Sequence, residues 1–271
     1  MNIKELLRFK IAIQTMKDTW KISVILTLLF MVMSAMYAGM FPAFEDTLSK
    51  MVEEGMAENY SFLSGASDMA SYVGFLNMEL YQIFWILILG ILIGFIAASI
   101  ISKEVEGKTI DLLMSNPLSR KQIVFEKYIG LIPMILLVNF ATMFTVCIVT
   151  IAINEELNFS YLFITHIVSI PYLLAVAAIG ILFSVIIDEK MKASIITIAI
   201  LIGMFIFESI SLMIPDYENM GLISITHYYN PYDILKIGKI DVVGVIVLFA
   251  VLSSCLIAAM IYFEHKDVYC A

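Results

Sequence analysis

Few residues of this 271-residue chain have the type and spacing that catalysis requires. Gly107-Lys108-Thr109 matches the end of the phosphate-binding motif G-x-x-x-x-G-K-[ST], but Ser102 stands where its first glycine is needed. That motif follows a β-strand, whereas here a long apolar run precedes it. Phe62-Leu63-Ser64-Gly65 lacks the first glycine of a serine-nucleophile motif, and no H-E-x-x-H sequence occurs. We predict that the chain is not an enzyme and binds no cofactor itself.

Charge and thiol content argue against two further classes of site. The formal net charge is −8, whereas a nucleic-acid partner needs a basic face. The thiols Cys147, Cys255 and Cys270 form no C-x-x-C pair and no cysteine–histidine spacing. We therefore predict neither a nucleic-acid partner nor a metal site.

Three polar side chains within apolar runs are candidates for a substrate path: Glu208, Ser211 and Asn139. Glu208 is the only acid in such a run, and a carboxylate at the centre of a membrane costs about 2.5–3.5 kcal/mol on insertion scales. It would face a wet cavity, be protonated, pair with a neighbouring chain, or reach the outer surface. A lone histidine such as His166 is more typical of a hydrogen-bonded structural residue.

Composition identifies the elements that hold these side chains. Hydrophobic residues make up 61% of the chain and charged residues 15%, a balance that suits lipid better than water. Six segments have the length of about 20 apolar residues that a spanning helix needs. They are 22–41, 80–101, 128–153, 161–187, 193–214 and 242–263. The sequence predicts an all-α polytopic membrane protein, with residues 1–271 as a single transmembrane domain.

The distribution of basic residues predicts the orientation. Most lysines and arginines fall before the first segment, in the even-numbered connections between segments and after the last segment. Because cytoplasmic loops carry the excess of basic residues, we expect both termini in the cytoplasm of a plasma-membrane protein. The opposite side is acidic: residues 42–79 are predicted as a partly helical extracellular loop. Residues 215–241, which begin at Pro215, are predicted as an outer helical segment.

Residues 1–21 are patterned as an amphipathic helix. At 100° per residue, one arc is apolar: Leu6, Phe9, Ile13, Met16 and Trp20. Such a helix lies in the membrane interface as an elbow before the first span. The alternative is a plain extension of that span.

The segment 102–127 is patterned as two short helices around a break. Ile110, Leu113 and Met114 give the first helix an apolar edge, and Asn116-Pro117 ends it. Ser119-Arg120-Lys121-Gln122 is a capping box that begins the next helix. A short helix with one apolar edge can dock in a groove of a soluble partner.

This segment resembles the cytoplasmic signature of ATP-binding-cassette (ABC) transporter permeases of the type-2 export class. That signature reads E-x-G-T-x-x-x-L-L-x-x-P-x-S-R, followed by G-K. Here it corresponds to the run from Glu106 to Arg120, with two departures: Lys108 separates Gly107 from Thr109, and Glu126-Lys127 replaces Gly-Lys. An elbow, six spans and a helical outer segment match the same plan.

The resemblance implies a permease half of an ATP-driven exporter. Its partners would be two copies of an ABC ATPase subunit, which bind ATP and Mg²⁺, and a second permease half, identical or homologous. Residues 102–127 would act as the coupling helix. The residues expected to contact the ATPase are Glu106, Gly107, Thr109, Ile110, Leu113, Met114, Pro117, Ser119 and Arg120. Alternatives are a secondary transporter or channel, or a regulatory membrane subunit without ATP coupling. No residue selects among possible substrates.

Overall fold

The computed structural model describes residues 9–110 and 118–266, and these residues form helices and turns without a β-strand. Six helices are long and apolar enough to cross a membrane. They are α1 Lys10–Glu53, α2 Tyr72–Glu106, α3 Arg120–Ile153, α4 Phe159–Ile186, α5 Lys190–Met213 and α7 Val242–His265. The short helix α6, Pro231–Ile237, precedes the last of them. The predicted all-α architecture with six spans is confirmed.

Several helices extend beyond the apolar segments that predicted them. The 44 residues of α1 are about 66 Å long at 1.5 Å per residue, more than twice the hydrocarbon thickness. Hydropathy locates only the part of a helix that lies in lipid. The helix itself can be longer, because its backbone hydrogen bonds continue through polar residues. The acidic segment 42–79 therefore holds the end of α1, two 3₁₀ helices (Met56–Tyr60 and Ala66–Asp68) and the start of α2.

The predicted elbow does not form a separate helix in the described residues. The helix α1 passes through residue 21 without a break, so residues 10–21 are its first turns. Phe9, Ile13, Met16 and Trp20 of the predicted apolar arc are exposed, and Leu6 lies outside the described residues. The position of this arc in the membrane interface stays a prediction.

Two spans are built from consecutive helical parts. In α2 a π-helix, Asn77–Leu89, lies between two α-helical parts, Tyr72–Leu76 and Gly90–Glu106. In α3 the part Arg120–Ile129 is followed by Ile132–Ile153. The change in α3 falls just before Pro133, which cannot donate a helical hydrogen bond.

The helix α4 is the most buried span and lies at the centre of the bundle. Its Gly180 meets α2 so closely that an added Cβ would lie 2.7 Å from the Cβ of Ala97 and 2.8 Å from the carbonyl oxygen of Gly94. Small residues permit this approach of two backbones, which is how spans pack without a hydrophobic driving force between them.

The bundle has two ends with different structures. The basal end holds the starts of α1, α3 and α5 and the ends of α2, α4 and α7. The distal end holds residues 54–71 and 214–241, which include four 3₁₀ helices and α6. The two groups of candidate site residues lie at these opposite ends.

Candidate functional site

A buried ion pair joins α2 to α3 near the two ends of the segment 102–127. The ammonium group of Lys127 contacts the carboxylate of Glu104, and the two side chains are 3% and 14% exposed. The second oxygen, Oε2 of Glu104, is buried without a hydrogen-bond partner among the described residues. Since a buried charge is costly without its partner, this pair holds the two helices at a fixed separation.

Glu126, one residue earlier, caps the start of α1. Its Oε2 accepts hydrogen bonds from the backbone N–H groups of Ile11 at 3.0 Å and Ala12 at 3.4 Å. Its Oε1 accepts one from Nε2 of Gln122 at 2.9 Å. The capping position of α1, Phe9, provides no side-chain acceptor. A carboxylate here satisfies free N–H groups and complements the positive end of the helix dipole.

Glu106, at the last position of α2, has the same role for α5. Its Oε2 accepts a hydrogen bond from the backbone N–H of Lys190 at 2.8 Å. The capping residue of α5, Glu189, makes no side-chain cap of its own. The signature glutamate thus links the end of one span to the start of another.

Two cations complete the set of links by binding helix C-termini. The guanidinium group of Arg120 donates to the carbonyl oxygens of Phe263, at 3.5 Å, and Lys266, at the end of α7. The ammonium group of Lys266 donates to the carbonyl of Val185 at 2.6 Å, at the end of α4, and pairs with Asp188 at 2.5 Å. Cations at helix C-termini are favourable for the same dipole reason.

Gly107-Lys108-Thr109 ends α2 in a tight turn. The N–H of Thr109 donates to the carbonyl of Glu104 at 2.9 Å, and the N–H of Lys108 to that of Val105 at 3.1 Å. This pair of bonds defines a Schellman motif, and Lys108 has the left-handed φ of 54° that the motif requires. The turn lies at the negative end of a helix, whereas a phosphate-binding loop precedes the positive end of one.

The remaining predicted coupling residues differ in whether the structure describes them and in the contacts that it shows. Ser119 begins α3 as expected, and its Oγ accepts from the N–H of Gln122 at 3.2 Å. The Gln122 side chain bonds Glu126 instead of closing the capping box. Ile110 is fully buried within this chain, so it does not contribute to an exposed apolar edge. The other predicted residues of that segment, Leu113, Met114 and Pro117, lie outside the described residues.

At the distal end the structure brings Glu208 and Ser211 together with His227. Oε2 of Glu208 lies 2.9 Å from Nδ1 of His227 and 3.5 Å from Oγ of Ser211. The hydrogen bond that His227 donates to Glu208 raises the pKa of His227, and partial burial opposes this rise. Glu208 and His227 line a cavity of about 140 Å³. His227 also borders a neighbouring cavity that contains Asp233 and Asp241.

Asn139 belongs to a separate buried network in the bundle. Its Nδ2 donates to the carbonyl of His166 at 3.0 Å and to Oγ of Ser169 at 2.7 Å. Its Oδ1 lies 2.7 Å from Nδ1 of His166, and Nε2 of that ring lies 3.0 Å from the hydroxyl of Tyr81. These bonds favour the structural interpretation of His166. The three candidate path residues therefore have different positions: Glu208 lines a cavity, Ser211 contacts Glu208, and Asn139 belongs to the buried network.

Sequence reasoning predicted none of these links between helix ends: it gave Glu106 and Arg120 only a contact with the ATPase. It also missed the pairing of His227 with Glu208. Glu126 carried one signal, because it departs from the usual Gly-Lys of the signature. The other contacts join residues that are distant in sequence, and nothing in local spacing indicates them.

Six membrane-length helices, joined by charged contacts at one end, define a polytopic membrane protein. The chain belongs to the ABC-2 transporter family: a family model described as "ABC-2 family transporter protein" matches residues 12–268. It is thus the permease component of an ABC transporter. A search of curated proteins found no match.

Proposed function

We propose that this chain is a permease half of an ATP-driven exporter, coupled to a separate ATPase subunit through residues 102–127. Two ATPase copies would bind ATP and Mg²⁺, and a second permease half, identical or homologous, would complete the translocation path. The basal end would face the cytoplasm, with both termini on that side of the plasma membrane. The direction of transport rests on the family resemblance.

The set of contacts that residues of the segment 102–127 make with helix ends carries this proposal. Glu106 precedes the undescribed part of the segment and binds the start of α5. Arg120 follows it and binds the end of α7. Glu126 and Lys127 then reach the start of α1 and the end of α2. A displacement of this segment would therefore be passed to three other helix ends, the starts of α1 and α5 and the end of α7, and through Lys266 to α4.

This arrangement suits the transmission of a conformational change. A transporter needs two packings of similar free energy, and a partner shifts their populations only by binding one of them more tightly. Charged hydrogen bonds to helix ends are directional and strong, so the spans would move with the segment and not independently of it. The basic residues near the basal end support its cytoplasmic position.

The test is co-purification of an ATPase with the tagged permease in mild detergent from cells that encode both. We expect wild-type permease to bring down an ATPase subunit and ATP hydrolysis, because the sequence predicts an apolar edge that includes Leu113 and Met114. Leu113→Asp should abolish both, since it places a charge on that edge. Leu222→Asp makes the same change at an exposed distal position and should retain both.

The outcomes separate the candidate functions. An ATPase that is lost only with Leu113→Asp supports coupling through this segment. Permease that is well folded but carries no ATPase would contradict the proposal and favour a channel, a secondary transporter or a regulatory subunit. Equal loss in both variants would indicate that the substitutions disrupt folding and would remove the support for this contact.

A further inference from the structure

The distal cavity that Glu208 borders has an unusual lining for a site within a bundle of apolar helices. Its walls include the rings of Phe62, Phe205 and Tyr229 and the carboxylate of Glu208. No lysine or arginine is among the described residues that line it. With a neutral His227, the cavity therefore carries one negative charge surrounded by aromatic and polar side chains.

Glu208 uses only one of its two oxygens in contacts within the chain. Oε2 meets His227 and Ser211, whereas no donor among residues 9–110 and 118–266 reaches Oε1. In this part of the chain, the side-chain atoms that are buried without a hydrogen-bond partner do not include Oε1, so this oxygen is not enclosed and left unpaired. Since an ionised carboxylate can accept about four hydrogen bonds, Glu208 keeps capacity for a further ligand.

We propose that this cavity binds the ammonium group of an organic cation, with Glu208 as counter-ion. The proposal rests on the proposed transport function and supplies its substrate class. Aromatic rings attract cations through their negative faces, and the strength is greatest where water is excluded. A carboxylate with aromatic neighbours therefore selects for positive charge, and a quaternary ammonium group needs no hydrogen bond from the site.

The size of the cavity limits what part of a substrate it receives. Its volume of about 140 Å³ lies below the roughly 300–1,000 Å³ of pockets that enclose drug-sized ligands. It suits a headgroup, while the rest of a larger molecule would extend past Leu212. This residue is 41% exposed and also borders an adjoining cavity.

His227 competes with the cation for Glu208. When its ring is protonated, the ion pair at 2.9 Å neutralises the carboxylate, and when it is neutral, the charge is available. The other charged groups that act on this ring are Asp241 at the start of α7 and Glu218 in the 3₁₀ helix Pro215–Ile223. Both are acidic and favour protonation. Cation binding should therefore strengthen as the pH rises through the pKa of His227.

The experiment measures binding of choline to purified permease by titration calorimetry. The control ligand is the neutral isostere of choline, in which carbon replaces the quaternary nitrogen. We expect choline to bind wild type at least about tenfold more tightly than the isostere at high pH, which corresponds to about 1.4 kcal/mol. Glu208→Gln should remove this preference. His227→Gln should keep it and make it independent of pH between 6 and about 9.

The variants make each result decisive. Gel filtration and thermal unfolding establish that both variants fold, and His227→Gln serves as the folded control at the same site. Equal binding of choline and its isostere to wild type, or a preference that persists in Glu208→Gln, would overturn the proposal. Binding is measured without an ATPase, so its failure is distinct from failure of the coupling test.

Discussion

The two ends of the bundle cap their helices in different ways. At the distal end, α2, α4 and α6 begin with their own capping side chains, Ser71, Asn158 and Asn230. The distal start of α7 has no side-chain cap. At the basal end, Ser119 caps its own helix α3, whereas α1 and α5 begin without a cap of their own and use Glu126 and Glu106 from other helices. Local caps stabilise each helix separately, whereas shared caps join helices to one another. The basal end is thus built to keep the spans in register.

Cavities lie at both ends, and at the basal end one of about 380 Å³ borders Phe9 and Glu126. The distal end contains adjoining cavities of about 140, 340 and 450 Å³ between its short helices. Its ion pair between Lys236 and Asp68 joins side chains that are 45% and 25% exposed, in contrast to the buried pair of Lys127 and Glu104. The solvated ion pair leaves the distal end better able to rearrange around a ligand than the buried pair leaves the basal end.

The largest expected effect is the loss of stability when the buried ion pair is broken, compared with the loss when the exposed pair is broken. Lys127→Met leaves Glu104 as an unpaired buried charge, so we expect a loss of about 3–5 kcal/mol in the free energy of unfolding. Lys236→Met breaks an exposed pair at the distal end and should cost at most about 1 kcal/mol. Unfolding in mixed micelles of detergent and dodecyl sulfate measures both.

A compensating double variant serves as the control for the buried pair. Lys127→Met combined with Glu104→Leu replaces both charges with apolar groups of similar length and should recover most of the loss. If Lys127→Met and Lys236→Met cost the same, the distinction between a fixed basal end and an adaptable distal end would fail.

Two glycines give a smaller test of the same distinction. The Cβ of Gly130→Ala at the basal end would lie 2.8 Å from the carbonyl oxygen of Ala12 and 2.6 Å from the Cβ of Thr15. The Cβ of Gly221→Ala at the distal end would meet only side-chain atoms, Oε2 of Glu208 and Oγ of Ser211 at 2.6 Å and Nδ1 of His227 at 2.8 Å. Movable side-chain ends accommodate an intruding atom more readily than a backbone does.

We expect Gly130→Ala to destabilise the protein by about 1–3 kcal/mol, the usual cost of overpacking, and Gly221→Ala to cost less than about 1 kcal/mol. Thermal unfolding of the two variants side by side checks the order. A larger cost for Gly221→Ala would show that the distal end is the more rigid of the two.

The smallest effect is the pH dependence of the distal pair. The pKa of His227 is raised in the folded protein, so its stabilising contribution is present below its ordinary pKa of about 6.5 and is lost as pH rises through the folded value. Because the ring is partly exposed, we expect less than about 1 kcal/mol. The difference in unfolding free energy between wild type and His227→Gln should shrink from pH 6 to about 9. A difference that grows over this range would contradict the pairing.

Sequence patterns predicted the structural features that depend on the surrounding solvent and on residues nearby in the chain. Lipid demands long apolar helices, so hydropathy located six spans, and Ser119 could be recognised as a cap because its partner is three residues away. Hydropathy could not locate the end of α1 at Glu53, because a helix continues through charged residues that face water.

Local sequence patterns could not predict contacts between residues that are distant in the chain. Glu208 and His227 were both visible as polar residues, but their pairing depends on how the segment after α5 folds back. Glu126 was visible only as a departure from a signature. Its partner, the start of α1, is recognised through backbone N–H groups, which have no side-chain identity that a sequence could display.

The cap that Glu126 provides for α1 has a consequence for the order of assembly. The hydrogen bond from Ile11 to Glu126 spans 115 residues, so α1 is synthesised well before its acceptor exists. At about 5–20 residues per second, the start of α1 waits roughly 6–23 seconds for α3. Insertion of the third span is therefore the event that completes the first, and a chain interrupted before it would leave its earliest helix open to quality-control proteases.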